Sequence, residues 1–261
     1  MKKCFILQNS KYEKIIKIFL YLISIIFWFF VWDVVAEKID KEIFLPKPLE
    51  VFDVIFTKFI QSKEFYETVK CSVSRILEGF LIGTVAGVCL AILSYSFRII
   101  KIYLWFPIKT IKTIPVASFV ILVLLWVNSS KLSVVIPLLM VLPTMYINTL
   151  TGLESIDYKI LEMAMVFKIP FLKKIWYIYI PDIMPYIFSS ASIAIGMAWK
   201  SGVAAEIIGL AKNTIGNELY KAKLYLMTTE LFAWTIVIVA LCLICEVIIK
   251  FVARIVVGKK R

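Results

Sequence analysis

Few residues in this chain are suited to covalent or acid–base chemistry. It contains no histidine, which removes every imidazole-based triad, proton shuttle and metal site. Five cysteines (Cys4, Cys71, Cys89, Cys242 and Cys245) make an odd set without a disulfide framework. Cys242 and Cys245 form a CxxC, but inside an unbroken apolar run, where they read as small packing residues one helical turn apart. No GxxxxGK[ST] loop is present, so nothing here can cradle a triphosphate. No catalytic residue and no metal site is expected. What remains is isolated charge in or beside apolar runs (Asp33, Lys200, Glu206) and one long polar interruption, Leu153 to Pro185.

The elements that carry these residues are membrane spans. Of 261 residues, 61% are hydrophobic, and the mean hydropathy is +0.90, well outside the range of a soluble domain. The net charge of +12 does not point to nucleic acid. The basic residues lie between the apolar runs, and no basic stripe with interleaved aromatics is present. An all-α integral membrane fold is predicted, with six spans near Ile15–Val35, Arg75–Tyr95, Tyr103–Val127, Leu132–Leu150, Ile183–Ala204 and Leu231–Val252. The first follows several lysines, as a signal peptide would. At ~1.5 Å per residue it is long enough to cross a ~30 Å hydrocarbon core, and it is read as uncleaved. The uninterrupted apolar part of the third, Ile114 to Val127, reaches only about 21 Å. That span must therefore begin near Tyr103, carry Lys109 and Lys112 at its cytoplasmic end, and bend at Pro107 and Pro115.

The basic residues set an orientation. With the N-terminus inside, eighteen fall on cytoplasmic segments and eleven on external ones, so both termini are expected in the cytoplasm. The external segment Ala36 to Lys70 is nearly neutral. In it Leu45-Pro46-Lys47-Pro48 forms a turn, and Leu49 to Ile60 has the spacing of an amphipathic surface helix (Val51, Ile55, Phe59). On the second span, Gly79, Gly83 and Gly87 make a small-xxx-small ridge for close helix packing, either within the chain or between subunits.

The interruption at Leu153–Pro185 reads as two short helices. Asp157 caps the first, and its residues Ile160, Leu161, Ala164 and Phe167 share one side. Lys168 to Pro170 breaks it, because a residue before proline avoids the α region. Phe171, Leu172, Ile175 and Trp176 form a second apolar stripe, which Pro181 stops; Pro185 sits near the start of span five. Such a segment is either an amphipathic connector lying on the inner leaflet or a docking helix for a cytosolic partner.

At these residues the chain resembles the permeases of binding-protein-dependent ABC importers, closest to the group for sulfonates, taurine and nitrate. The family signature is Glu-Ala-Ala, a glycine, then an aliphatic-x-Leu-Pro stop. Matching it are Glu162-Met163-Ala164, Lys168 at the glycine position, and Ile178-Tyr179-Ile180-Pro181, continued by Pro185 and Ser189 to Trp199. Further segments match in order over about Leu45 to Phe251. They include Leu45-Pro46-Lys47-Pro48, Ser74 to Phe80, Ile114-Pro115, Asn148-Thr149, and Val203-Ala204-Ala205-Glu206 with Gly209 and Gly216.

The resemblance implies a type I ABC importer (MetI-like) permease in the cell membrane. Residues 1–69 would hold the first span and an extracytoplasmic amphipathic segment, and 70–257 the permease domain with a cytoplasmic coupling loop at 153–185. Implied partners are a dimeric ABC ATPase carrying ATP and Mg, an extracytoplasmic substrate-binding protein, a second permease copy and the lipid bilayer. Glu162, Met163, Ala164, Phe167, Lys168, Pro170 and Pro181 would form the ATPase-coupling loop. Met163 replaces the family's first alanine. With lysine in place of glycine at 168, the turn must use backbone angles allowed to an L-residue. Glu206, with Gly209 and Lys200, is a candidate gate or binding-protein contact. The competing readings are an interfacial carboxylate facing water for Glu206 and outward snorkelling for Lys200. Asp33 reads as interfacial. The cargo is expected to be a small anion such as a sulfonate, nitrate or taurine. A thiamine pyrimidine precursor is the alternative cargo. A secondary transporter is the alternative class, although no inverted repeat is visible.

Overall fold

A computed structural model describes residues 10–39, 41 and 43–258, and every regular element among them is helical. The helices are α1 (Ser10–Ile39), α2 (Pro48–Asp53), α3 (Lys63–Ser96), α4 (Arg98–Thr113), α5 (Val116–Leu124), α6 (Ser129–Glu154), α7 (Tyr158–Val166), α8 (Phe171–Lys174), α9 (Ile180–Gly209), α10 (Ile215–Leu224) and α11 (Thr228–Gly258). Two π-helical stretches follow α2 and α8, at Val54–Phe59 and Ile175–Tyr179. Lys2, Lys3, Cys4, Lys259, Lys260 and Arg261 lie outside the described residues, as do the side chains of Lys11, Lys14 and Lys17.

The chain divides into two compact units. The smaller comprises Met1–Gln61 and Ala222–Ala233. In it the Trp32 indole donates to the Pro46 carbonyl at 3.1 Å, and its ring lies beside Phe29 and Phe232. The expected turn at Leu45–Pro48 leads directly into α2. Pro48 fills the first turn, where no N–H is needed, and the Lys47 N–H donates to the Glu50 carboxylate at 3.1 Å. Val51 and Phe59 face inward while Leu49 and Phe56 are exposed. Lys58 pairs with Glu230 at 3.2 Å, and the Thr228 hydroxyl donates to the Ile43 carbonyl. Asp33 is exposed.

The larger unit, Ser62–Lys221 with Trp234–Arg261, is built on α3, α6 and α9. The glycine ridge of α3 lies against α6 of the same chain. A Cβ on Gly79 would stand 2.3 Å from the Val134 carbonyl oxygen, one on Gly83 2.7 Å from that of Leu138, and one on Gly87 2.8 Å from that of Leu142. Residue numbers rise together along the two helices, so α3 and α6 run parallel. On α9 the order reverses. Gly152 of α6 meets Tyr186, Pro137 meets Gly202, and Leu132 meets Gly209, so α9 runs antiparallel to α6.

That register settles the third span. Parallel α3 and α6 require the chain to cross the membrane between them, and only α4 and α5 are available. Ile108 of α4 packs with Tyr146 and Leu150 near one end of α6, whereas Val120 and Val123 of α5 pack with Leu132 and Ile136 near the other. The crossing is not the single bent helix expected from Tyr103. It starts at Arg98, tolerates Pro107 within α4, and breaks at Ile114–Pro115 by 106°. Ile114 is extended (φ −69°, ψ 131°), because the following proline ring excludes the helical region. With this broken span, six crossings result. Lys109 lies over the Trp105 ring at 4.8 Å, and Lys101 pairs with Glu154.

Candidate functional site

The loop between α6 and α9 is a rigidly backed helix with an apolar outer surface. Asp157 caps α7 by accepting from the Lys159 N–H at 2.9 Å, as its position predicted. The inner face of α7 is narrow. Ala164 is 0% exposed, and with Leu161 and Ile169 it packs onto Leu153, Ile156, Ile178 and Ile183. A larger side chain at 164 would have to displace these neighbours. The outer face carries Glu162, Met163, Met165 and Val166.

Phe167 does not share the inner face. It is 73% exposed, because it is the C-cap (φ −77°, ψ 2°), where the chain has already left the helical path. The next residue explains how the helix ends. Lys168 adopts φ 52°, its N–H donates to the Met165 carbonyl, and the Ile169 N–H reaches back to that of Ala164, both at 3.0 Å. This pair of bonds, with Ile169 closing over Ala164, is a Schellman motif. Its left-handed position favours glycine. Here lysine occupies the small left-handed region open to L-residues, so the turn has the geometry a glycine would give.

Pro170 precedes α8 as its N-cap. The expected stop at Pro181 is absent. From Phe171 the chain is helical without interruption to Gly209. Proline lacks an N–H and its ring would strike the carbonyl four residues back, that of Tyr177. The helix absorbs this by widening into the π turn at Ile175–Tyr179, where the Ile180 N–H bonds to the Ile175 carbonyl, five residues back. Of the expected second stripe, Phe171, Leu172 and Trp176 are exposed, whereas Ile175 is half-buried. Between the end of α7 and the π turn lies a hollow of about 360 Å³, lined by Phe167, Lys168, Pro170, Lys173 and Tyr177 among others.

At the far end of α9 stands a buried polar node. Glu206 is 0% exposed. Its Oε2 accepts from the Ser72 hydroxyl of α3 at 2.9 Å and from the Gly216 N–H at the start of α10 at 3.0 Å. Ser72 in turn accepts from the Ile215 N–H at 2.8 Å. Gly216 is needed for this approach, since a Cβ there would lie 2.3 Å from that of Glu206. Glu206 is therefore neither a water-facing carboxylate nor a surface contact; it ties α10 to α3 and α9. Gly209 closes α9 against Leu132, and Leu210 (φ 49°) turns the chain. The node escaped the sequence reading because Ser72 and Glu206 are 134 positions apart. Lys200 is exposed on α9.

The chain is thus a multi-pass helical membrane protein with a parallel α3–α6 pair, a broken third span and a capped helical loop before the fifth. Residues 79–261 match the family described as binding-protein-dependent transport system inner membrane component, and the chain belongs to it. It is 25% identical over 228 residues (86% of this chain, 81% of the relative) to the chain named as aliphatic sulfonates transport permease protein SsuC of Bacillus subtilis (strain 168). It is 20% identical to the taurine transport system permease protein TauC of Escherichia coli (strain K12), over 85% of this chain and 82% of the relative. Among solved structures, a chain of a bacterial alginate ABC transporter in complex with alginate pentasaccharide-bound periplasmic protein superposes with a TM-score of 0.60. The alignment covers 95% of this chain and 97% of that one at 16% identity, a likeness of fold.

Proposed function

We propose that the chain forms the membrane pathway of an ATP-driven importer that takes up a small anion delivered by an external binding protein. The anionic cargo is supported by the relatives, whose names specify aliphatic sulfonates, nitrate, bicarbonate and taurine, the last a zwitterion that carries a sulfonate group. Hydrolysis belongs to a separate dimeric ATPase carrying ATP and Mg, and a second copy of this chain completes the pathway. Both termini face the cytoplasm, following the bias of basic residues.

The observation that carries the coupling role is α7. Its inner face is locked to the body through Ala164, while Glu162, Met163, Val166 and Phe167 point outward. Such a helix transmits force because it cannot slide on its base. ATP binding shifts the spans between inward and outward access only through contacts that differ between the two states, and this surface supplies them. Met163, Lys168, Pro170 and Pro181 shape the surface and its two flanks.

The test is co-purification followed by uptake. Tagged chain extracted in mild detergent brings down an ATPase subunit, and vesicles holding the complex accumulate labelled anion only with ATP. Glu162→Lys reverses a charge on the docking face and uncouples the two. Uptake driven by an ion gradient in the absence of any ATPase would overturn the proposal in favour of a secondary transporter.

A further inference from the structure

We infer that Lys168 and Lys173 form a site for a carboxylate side chain of the ATPase, in the hollow between the end of α7 and the π turn, and so select which ATPase the chain accepts. This rests on the reading of α7 as the ATPase-docking helix. The hollow, of about 360 Å³, takes its lining from both sides of the turn. Phe167, Lys168 and Ile169 come from the end of α7, whereas Lys173, Tyr177 and Ile178 come from α8 and the π turn. Ile178 is buried and Ile169 half-buried, and both pack in the cluster around Ala164. The packing that braces α7 therefore also fixes the shape of the hollow. The rings of Phe167 and Tyr177 are exposed, as are the two lysines. An apolar lining suits the short stem of an aspartate or glutamate, and two ammonium groups suit its tip.

Backbone and charge together single out this hollow. Lys168 holds φ 52°, an angle that glycine adopts freely and a lysine only under strain. The two bonds that close the turn run between backbone groups, from the Lys168 N–H to the Met165 carbonyl and from the Ile169 N–H to that of Ala164. The turn gains nothing from the lysine side chain, and glycine would make it with less strain. What residue 168 adds is a cation lining the hollow. Among the described residues neither Lys168 nor Lys173 pairs with a carboxylate. The hollow thus carries two uncompensated positive charges, and a surface that covers it must bring a negative one. The geometry favours protein over lipid as that cover. The helix from Phe171 to Gly209 has 39 residues. At ~1.5 Å per residue it is about 58 Å long, more than the ~40–45 Å of a bilayer with its headgroups. The end that bears Lys173, Lys174 and Asp182 is the one that emerges.

Two measurements on the complex with the co-purifying ATPase test this. A water-soluble carbodiimide joins a lysine amine to a carboxylate in direct contact, with loss of water. On the wild-type complex it should give a permease–ATPase adduct, mapped by mass spectrometry to Lys168 or Lys173 and to an aspartate or glutamate of the ATPase. Adducts at neither lysine would overturn the inference. The second measurement compares the affinity of the ATPase for wild type and for Lys168→Gly/Lys173→Gln in nanodiscs. The variant keeps the turn and should melt no lower than wild type, yet bind the ATPase about tenfold or more weaker at low salt. A merely structural lysine predicts equal or tighter binding by the variant, and that result would overturn the assignment. So would equal binding with loss, in the variant alone, of a preference for phosphatidylglycerol over phosphatidylcholine nanodiscs, since the hollow would then hold a lipid headgroup. Should the variant melt lower, the adduct decides. If the wild-type chain brings down no ATPase, the docking reading fails and the inference falls with it. If the ATPase comes down and neither lysine matters, the inference alone fails.

Discussion

Lys168 shows how a single backbone position links sequence to mechanism. Its φ of 52° costs an L-residue on the order of 1 kcal/mol relative to glycine, and the two Schellman bonds hold it there. Lys168→Gly should therefore raise the detergent melting temperature slightly with α7 unmoved. Lys168→Val, β-branched at a left-handed site, should lower it and weaken coupling. Glu206 makes the complementary point. Glu206→Ala leaves the Gly216 N–H without its acceptor and should cost about 2 kcal/mol. Glu206→Gln keeps an oxygen for both Ser72 and Gly216 and should cost much less, which thermal unfolding of the purified chain measures. The Asp157 cap and the glycine ridge were legible in the sequence because each is a short-range pattern within one helix. Burial of Glu206 was not, because its partners come from α3 and α10.

Elements were legible where apolar length decides them and less so where proline intervenes. Five crossings follow from apolar length alone, and the sixth only when α4 and α5 are counted as one broken span. What proline does depends on its surroundings: Pro107 sits inside α4, Pro115 breaks a span by 106°, and Pro181 is absorbed by a π turn. The expectation that Pro181 ends a helix failed because an i→i+5 turn makes room for its ring without freeing the chain. As a result the second stripe of the loop is continuous with the helix of the fifth span. The inner face of α7 offers a direct perturbation. Ala164→Leu forces three extra carbons into a site with no exposed surface, packed against Leu153, Ile156, Ile178 and Ile183. That should cost on the order of 3 kcal/mol locally and tilt α7 off its base. Anion uptake should fall sharply while the chain still inserts and still brings down the ATPase. Unchanged uptake would mean that α7 need not be braced.

For the molecule as a whole, the parallel α3–α6 pair and antiparallel α9 form a close-packed centre, whereas the apolar stretches of α1 and α11 are largely exposed in the isolated chain. Lipid or a second copy of the chain is the natural cover for such surface, since helix association in a bilayer depends on close packing and not on hydrophobicity. The sequence reading anticipated the family from segments in order, but it did not show that α7 presents Val166 and Phe167 outward. That follows from the helix ending at Phe167, one residue before the left-handed turn. The assembled importer can be questioned at this surface. With single cysteines placed as Val166→Cys on the chain and along the permease-facing groove of its ATPase, oxidation should give a permease–ATPase adduct that forms or disappears with bound ATP, and adduct formation should block uptake. A complex that transports the anion yet gives no adduct at Val166 from any groove position would contradict the account.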